Sequence, residues 1–230
     1  MNYKDFSINI YTHECKSYCD EEFFQTLFQS DIRSAEIHII DNSIGMTYYQ
    51  KLLEIVNKSS RSINSKITVQ HIVVPRDSGD PQFQRNVVDS LSVLRENFIT
   101  TNCKYFCIIE SDVMVPPDWL TSFNEVLFRA DIIGGIYYEG FHAPELWDRS
   151  NPILQYTSHV LSGCTLYKRE IIEKFPFRIS SENWGAFPDA WISWDANNSG
   201  KEYKLANYSK IICEHRQKPG TPYRGQEVMS

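Results

Sequence analysis

Tyr105-Phe106-Cys107-Ile108-Ile109-Glu110-Ser111-Asp112-Val113-Met114-Val115-Pro116-Pro117-Asp118-Trp119-Leu120 is the stretch on which the fold turns. Tyr105 to Ile109 is a continuous apolar run, the pattern of a strand covered on both faces in a parallel sheet. It runs straight into Glu110 and Asp112. Two residues apart on an extended chain, these carboxylates point to one side. Ligands of parallel sheets bind at the carboxyl ends of the strands, and converging carboxylates there suit a hard divalent cation, Mg2+ or Mn2+. Such a cation neutralises a diphosphate leaving group. On this segment alone, Asp112 serves equally well as a cap for backbone amides ahead of the next helix.

Outward from this run, short apolar segments alternate with amphipathic ones. Ser7–Tyr11, Ala35–Ile40 and Ile67–Val74 read as strands. Glu21–Phe28, with Asp20 placed to cap it, and Tyr48–Val56 read as helices. Gln84–Phe98 carries Val87, Val88, Leu91, Leu94 and Phe98 on one helical face. This alternation predicts an α/β fold with a mainly parallel central sheet flanked by helices. The second half is less regular. A helix is expected from Pro116-Pro117 through Phe128, and strands over Asp131–Tyr138, Val160–Tyr167 and Tyr203–Cys213. Further helices are expected over Lys168–Lys174 and Asp189–Asn198, the latter stopping at Gly200. Gly134 and Gly135 allow a close backbone approach. Residues 139–157 read as a long loop, and 216–230 as a polar tail.

With 230 residues the chain is long enough for one domain with a full core. Hydrophobic residues at 42 % and charged residues at 23 % exclude global disorder. A net charge of −6 argues against a default binder of nucleic acid or anionic membrane. No apolar run is long enough to span a membrane. No leader pattern opens the sequence, and the six cysteines form no C-x-x-C pair. Reduced thiols and a cytoplasmic location are the expectation.

The acidic run resembles the strand-end motif of GT-A glycosyltransferases, family 2 in particular: an apolar strand, an Asp-x-Asp, then "pp-x-W-L". Here Glu110 replaces the first Asp. The resemblance covers most of the chain. Ile39-Ile40-Asp41-Asn42-Ser43 resembles "v-v-D-n-S", and Gln84-Arg85-Asn86 resembles "a-R-N". Val160 to Glu170 resembles "l-s-G-a-x-x-x-x-R-e". Phe187-Pro188-Asp189, followed 11 residues later by Gly200, resembles "E-D … G-y-k". Ile211 to His215 resembles the closing "v-x-H" strand. There are departures. Pro188 replaces the usual Glu, Trp191 stands where many members carry a second Asp, and the arginine usual in that helix is missing. The Q-x-x-R-W segment of processive synthases is absent.

The resemblance implies a single compact GT-A (Rossmann-like) domain over residues 1–215. About 1–115 would form the nucleotide-binding half and 116–215 the acceptor half, with 216–230 as a tail or lid. The implied activity is metal-dependent, non-processive transfer of a sugar, with inversion, from a nucleoside diphosphate sugar, UDP preferred, to a glycan or other hydroxyl acceptor. Asp112 and His215 are expected to hold Mn2+ or Mg2+, and Asp189 to be the general base. Donor contacts are expected from Thr12, Glu14, Asp41, Arg85, Asn86, Glu110, Ser111 and Gly163. Bland roles stand beside these: helix cap for Asp189, turn cap for Asp41, surface arginine for Arg85, strand kink for Gly163. Trp184, Trp191 and Trp194 are core residues or a platform for a sugar ring. Two other readings are a virus-type transferase acting on modified DNA bases, which the acidic charge disfavours, and a silent nucleotide-sugar or glycan binding module. A nucleotidyltransferase lacks its Gly-rich loop after the first strand.

Overall fold

The computed structural model describes residues 1–61, 63–74, 82–137, 148–179 and 187–220. In chain order the elements are β1 (Phe6–Thr12), α1 (Asp20–Gln29), β2 (Glu36–Asp41), α2 (Met46–Ser59), β3 (Ile67–His71), α3 (Gln82–Ile99), β4 (Tyr105–Glu110), β5 (Val113–Met114), α4 (Trp119–Val126), β6 (Ile132–Tyr137), β7 (Leu154–Tyr156), β8 (Cys164–Lys168), α5 (Arg169–Lys174), α6 (Pro188–Asn197) and β9 (Leu205–His215). The strands form one sheet in the order β3-β2-β1-β4-β8-β6-β9-β5, with β7 paired to β9. Pairing is parallel from β3 through β4 and between β6 and β9. It is antiparallel at β8, β5 and β7.

The period-2 alternation of the strands divides the core between the two faces of the sheet. Ile8 and Ile10 of β1 and Cys107 and Ile109 of β4 face α1, α2 and α4, meeting Phe23, Leu52 and Phe123. Phe106 and Ile108 face α3, α5 and α6, meeting Leu91, Ile171 and Ile192. Every one of these side chains is buried, which stabilises the fold by roughly 1.5–3 kcal/mol each relative to exposure.

Several expectations shift at element ends. Asp20 is the first residue of α1 rather than its cap, and its Oδ1 accepts from the Tyr48 hydroxyl at 2.9 Å. The helix expected from Pro116 starts at Trp119. Its first amides, Leu120 and Thr121, donate to the Asp31 carboxylate at 3.1 and 2.7 Å, a cap supplied from a distant loop. Strand β8 begins at Cys164, not Val160, because the Tyr137 hydroxyl wedges in. It accepts from Cys164 N–H at 2.7 Å and donates to Leu161 O at 3.2 Å. Of the expected loop 139–157, residues 139–147 lie outside the described residues, as does Tyr138 of the strand before it, and Leu154–Tyr156 is a strand.

The expected close approach at the glycines is real. A Cβ on Gly134 would sit 2.5 Å from Val160 Cγ1, and one on Gly135 would sit 3.0 Å from Ile211. Gly200 takes φ +78°, the left-handed conformation that follows the end of α6.

Candidate active site

Strands β1 and β4 lie side by side with Tyr11 opposite Glu110, so the loop after β1 starts next to the acids. His13 Nδ1 accepts from Cys15 N–H at 3.1 Å, opening a tight 3-10 turn over Glu14–Lys16. The turn brings Lys16 back over the strand end. Its Nζ donates to Asp112 Oδ1 at 2.6 Å and to Glu110 Oε2 at 3.3 Å. Burial alone would lower the Lys16 pKa, but the two carboxylates more than reverse it, and the ammonium is held well above its ordinary range. Lys16 was missed in the sequence, where nothing local marks it.

His215 arrives from the far end of the chain. Strands β5 and β9 form a two-rung antiparallel ladder with Val113 opposite His215. The ladder continues through Arg216 N–H, which donates to Asp112 O at 2.7 Å. His215 Nε2 thereby lies 3.3 Å from Asp112 Oδ2. Burial pushes the Asp112 pKa up, but the His215 hydrogen bond and the Lys16 ammonium outweigh it, and the carboxyl is held below its usual range.

Asp189 joins the same network through Ser162. Ser162 and Gly163, in the turn just ahead of β8, reach the end of β4, where Glu110 N–H donates to Gly163 O at 3.0 Å. The Ser162 hydroxyl donates to Glu110 Oε1 at 3.0 Å, and its amide donates to Asp189 Oδ2 at 3.2 Å. Asp189 is the second residue of α6, and its Oδ1 accepts from Ala190 N–H at 2.9 Å. His159, a second residue missed in the sequence, places Nε2 3.5 Å from Asp189 Oδ2. An unbroken chain of contacts thus runs His159–Asp189–Ser162–Glu110–Lys16–Asp112–His215.

Beside Lys16 opens a cavity of about 670 Å3, walled by Tyr11, Thr12, Ser43, Val74, Asn86 and neighbouring side chains. The residues expected to touch a donor fall into two groups. Thr12 and Asn86 line this cavity, and Glu14 is exposed on the turn, its amide fixed by the Ser43 hydroxyl at 2.8 Å. Asp41 and Ser111 are fully buried. Asp41 accepts from Ser43 N–H at 2.9 Å and pairs with His71 Nδ1 at 2.8 Å. The Ser111 hydroxyl donates to Thr12 Oγ1 at 2.9 Å, which contacts the Tyr48 hydroxyl at 2.9 Å. Arg85 pairs with Asp89 one turn along α3 at 3.2 Å. At Gly163 a Cβ would meet the Tyr137 ring at 3.2 Å, so the glycine accommodates Tyr137.

Among the described residues, no three His, Cys, Asp or Glu side chains make a metal centre by themselves. Asp112 Oδ2 and His215 Nε2 do offer a carboxylate and an imidazole at one point. A divalent ion in a phosphate site characteristically takes one or two protein side chains and fills its shell with phosphate oxygens and water. The pair fits that pattern through Asp112 Oδ2 and His215 Nε2, while Lys16 takes the other Asp112 oxygen and both Glu110 oxygens are engaged, by Lys16 and Ser162.

Of the tryptophans, Trp191 is stacked by the Arg178 guanidinium at 4.3 Å, Trp194 is 60 % exposed, and Trp184 lies outside the described residues. The expected tail is described to Gly220. Arg216 there pairs with Glu22 and Glu214.

No protein-family profile matches the chain, and no curated sequence matches it. Solved structures do. A mannosyltransferase from Pyrobaculum calidifontis, in complex with GDP-Man and Mn2+, aligns over 97 % of this chain and 59 % of its own with a TM-score of 0.64 at 14 % identity. S. aureus TarS in complex with UDP-GlcNAc aligns over 97 % of this chain and 64 % of its own, with a TM-score of 0.58 at 16 % identity. The chain has the GT-A fold. HddC from Yersinia pseudotuberculosis aligns over 97 % of this chain and 99 % of its own, with a TM-score of 0.54 at 10 % identity. The chain therefore spans less than two thirds of the first two proteins. In GT-A terms, the acidic run stands at the end of the central β4. No helix among the described residues is long and apolar enough to cross a membrane.

Proposed function

We propose that the protein is a glycosyltransferase that moves a sugar from a nucleoside diphosphate sugar to an acceptor hydroxyl. The observation that carries this reading is the single network joining Asp189 to Asp112 and His215 beside the cavity. The nucleoside occupies the cavity between the ends of β1 and β2, and the diphosphate lies over Asp112. Residues 1–115 thus bind the donor, and 116–215 present the acceptor. UDP is the preferred donor; TarS, solved with UDP-GlcNAc, overlays most of the chain. The six thiols, free of disulfides, fit work in the reducing cytoplasm.

Asp189 takes the proton of the acceptor hydroxyl as its oxygen attacks the anomeric carbon. The new C–O bond forms as the bond to the diphosphate oxygen breaks, and the diphosphate leaves with the electron pair. In-line attack inverts the anomeric centre. Amides from Ser162 and Ala190 fix both oxygens of Asp189, so the base is oriented before the acceptor arrives. A Mn2+ or Mg2+ held by Asp112 and His215 supplies charge neutralisation of the leaving diphosphate. A thermal-shift screen of UDP-, GDP- and other nucleotide sugars, with and without Mn2+, tests the reading: one donor class raises Tm with concentration. If no nucleotide sugar shifts Tm and none is hydrolysed or transferred, the reading fails.

A further inference from the structure

Lys16 lies at the junction of two features that otherwise stand apart. Its side chain forms part of the cavity wall, while its Nζ bridges Asp112 at 2.6 Å and Glu110 at 3.3 Å. The position is built, not incidental. The turn beneath it is held by Lys16 N–H donating to His13 O at 2.8 Å and by Glu14 N–H donating to the Ser43 hydroxyl at 2.8 Å. The side chain is only 14 % exposed, and its ammonium lies 5.8 Å from the centre of the Tyr11 ring.

An ammonium has three N–H donors. Glu110 and Asp112 take two, and among the described residues no acceptor takes the third. Charge points the same way. Two carboxylates at one strand end repel an incoming diphosphate unless a cation stands between them. Here the chain supplies a fixed one.

We infer that Lys16 is a donor-binding residue whose ammonium grips the diphosphate directly, so that nucleoside diphosphates bind this protein even without a divalent ion. The inference rests on the nucleotide-sugar reading above but fails separately from it. The ammonium also offsets the repulsion between Glu110 and Asp112 and holds both at the strand end before the donor arrives. The site is thus preformed rather than assembled by metal.

The experiment is calorimetry of UDP, GDP and uridine against the full chain, in EDTA and in Mn2+, for wild type, Lys16→Met, Lys16→Gln and Lys16→Arg. Wild type is expected to bind one of the diphosphates in EDTA. Lys16→Met and Lys16→Gln should weaken that binding by about 10- to 100-fold, the effect of one charge-assisted hydrogen bond. They should leave uridine binding unchanged, and Lys16→Arg should restore most of the loss. Binding of diphosphates by wild type only in Mn2+, or equal binding by wild type and Lys16→Met in EDTA, overturns the inference and leaves the nucleotide-sugar reading intact. Loss of uridine binding along with diphosphate binding in both neutral variants assigns Lys16 to holding the loop and overturns it as well. Failure of every form to bind any diphosphate, with or without Mn2+, overturns the nucleotide-sugar reading itself.

Discussion

Asp41 and Asp112 stand at matching places, the ends of the two strands that flank β1, and are held in opposite ways. Asp41 is fixed by a backbone amide of its own turn and by His71 on the adjacent strand. It is wholly buried, and its two oxygens are both engaged. Asp112 is held by side chains: the Lys16 ammonium and an imidazole at the tip of β9. A carboxylate fixed by backbone stays with its turn. One held by exchangeable charged side chains can hand a lone pair to a ligand. Both acids are buried, so at these two strand ends it is the Lys16 ammonium beside Asp112, with no counterpart at Asp41 among the described residues, that sets them apart.

The largest effect should come from the acid beyond this pair. Asp189→Asn is expected to lower transfer by about 10²- to 10⁴-fold, the usual worth of a positioned base, with UDP affinity unchanged by calorimetry. Loss of UDP binding instead would make Asp189 a structural residue. Asp112→Asn comes next. Transfer should fall by about 10²- to 10³-fold, in line with removal of one electrostatic stabiliser, while Tm moves by only a few degrees. A folded Asp112→Asn protein of full activity removes the contrast between the two strand ends.

Asp41→Ala should behave in reverse. Stripping the acceptor from Ser43 N–H and His71 costs about 1–3 kcal/mol of stability, read by urea unfolding, and changes transfer per folded molecule less than tenfold. The smallest effect sharpens the comparison with a third acid. Burial raises the Asp20 pKa to about 6. A raised carboxyl contributes stability that is complete below about pH 4 and is lost as pH climbs through 6. For Asp112, whose pKa is depressed, the contribution is present above about pH 4 and is lost on acidification. Asp20→Asn keeps an acceptor for Tyr48. It should therefore gain about 1–2 kcal/mol at pH 7 and nothing at pH 4, as measured by Tm across that range.

The sheet was readable because its signal is local. The continuous apolar run of β4 and the one-sided face of α3 announce burial on both sides and on one side respectively. Elements formed by pairing alone were not readable. Strand β5 is two residues long, and β7 sits in a stretch broken by Pro152, so neither shows a period of its own. The start of α4 is not legible locally because its cap, Asp31, comes from another loop. Within the site, Glu110, Asp112, Asp189 and His215 were visible as acids and imidazoles at strand or helix ends. Lys16 and His159 were not, because each gains meaning only from a partner far along the chain. Arg169, part of a motif-like run, caps the end of α3. Its guanidinium donates to the helix-end carbonyl Phe98 O at 3.3 Å and to Thr101 O at 2.8 Å and Cys103 O at 2.7 Å in the loop that follows, and lies over the Phe98 ring at 4.5 Å. Its residue type alone announces a cation, and only the fold says that carbonyls claim it.

The short ladder between Val113–Met114 and Glu214–His215 also sets an order of events. The imidazole that completes the centre lies about a hundred residues after the acid it meets, so it leaves the ribosome long after that acid. Because a domain folds as a unit and β9 is paired to both β6 and β5 in the one sheet, the acid meets its imidazole only once the last strand has been made. A product halted short of residue 215 would lose that imidazole together with the end of the strand that carries it.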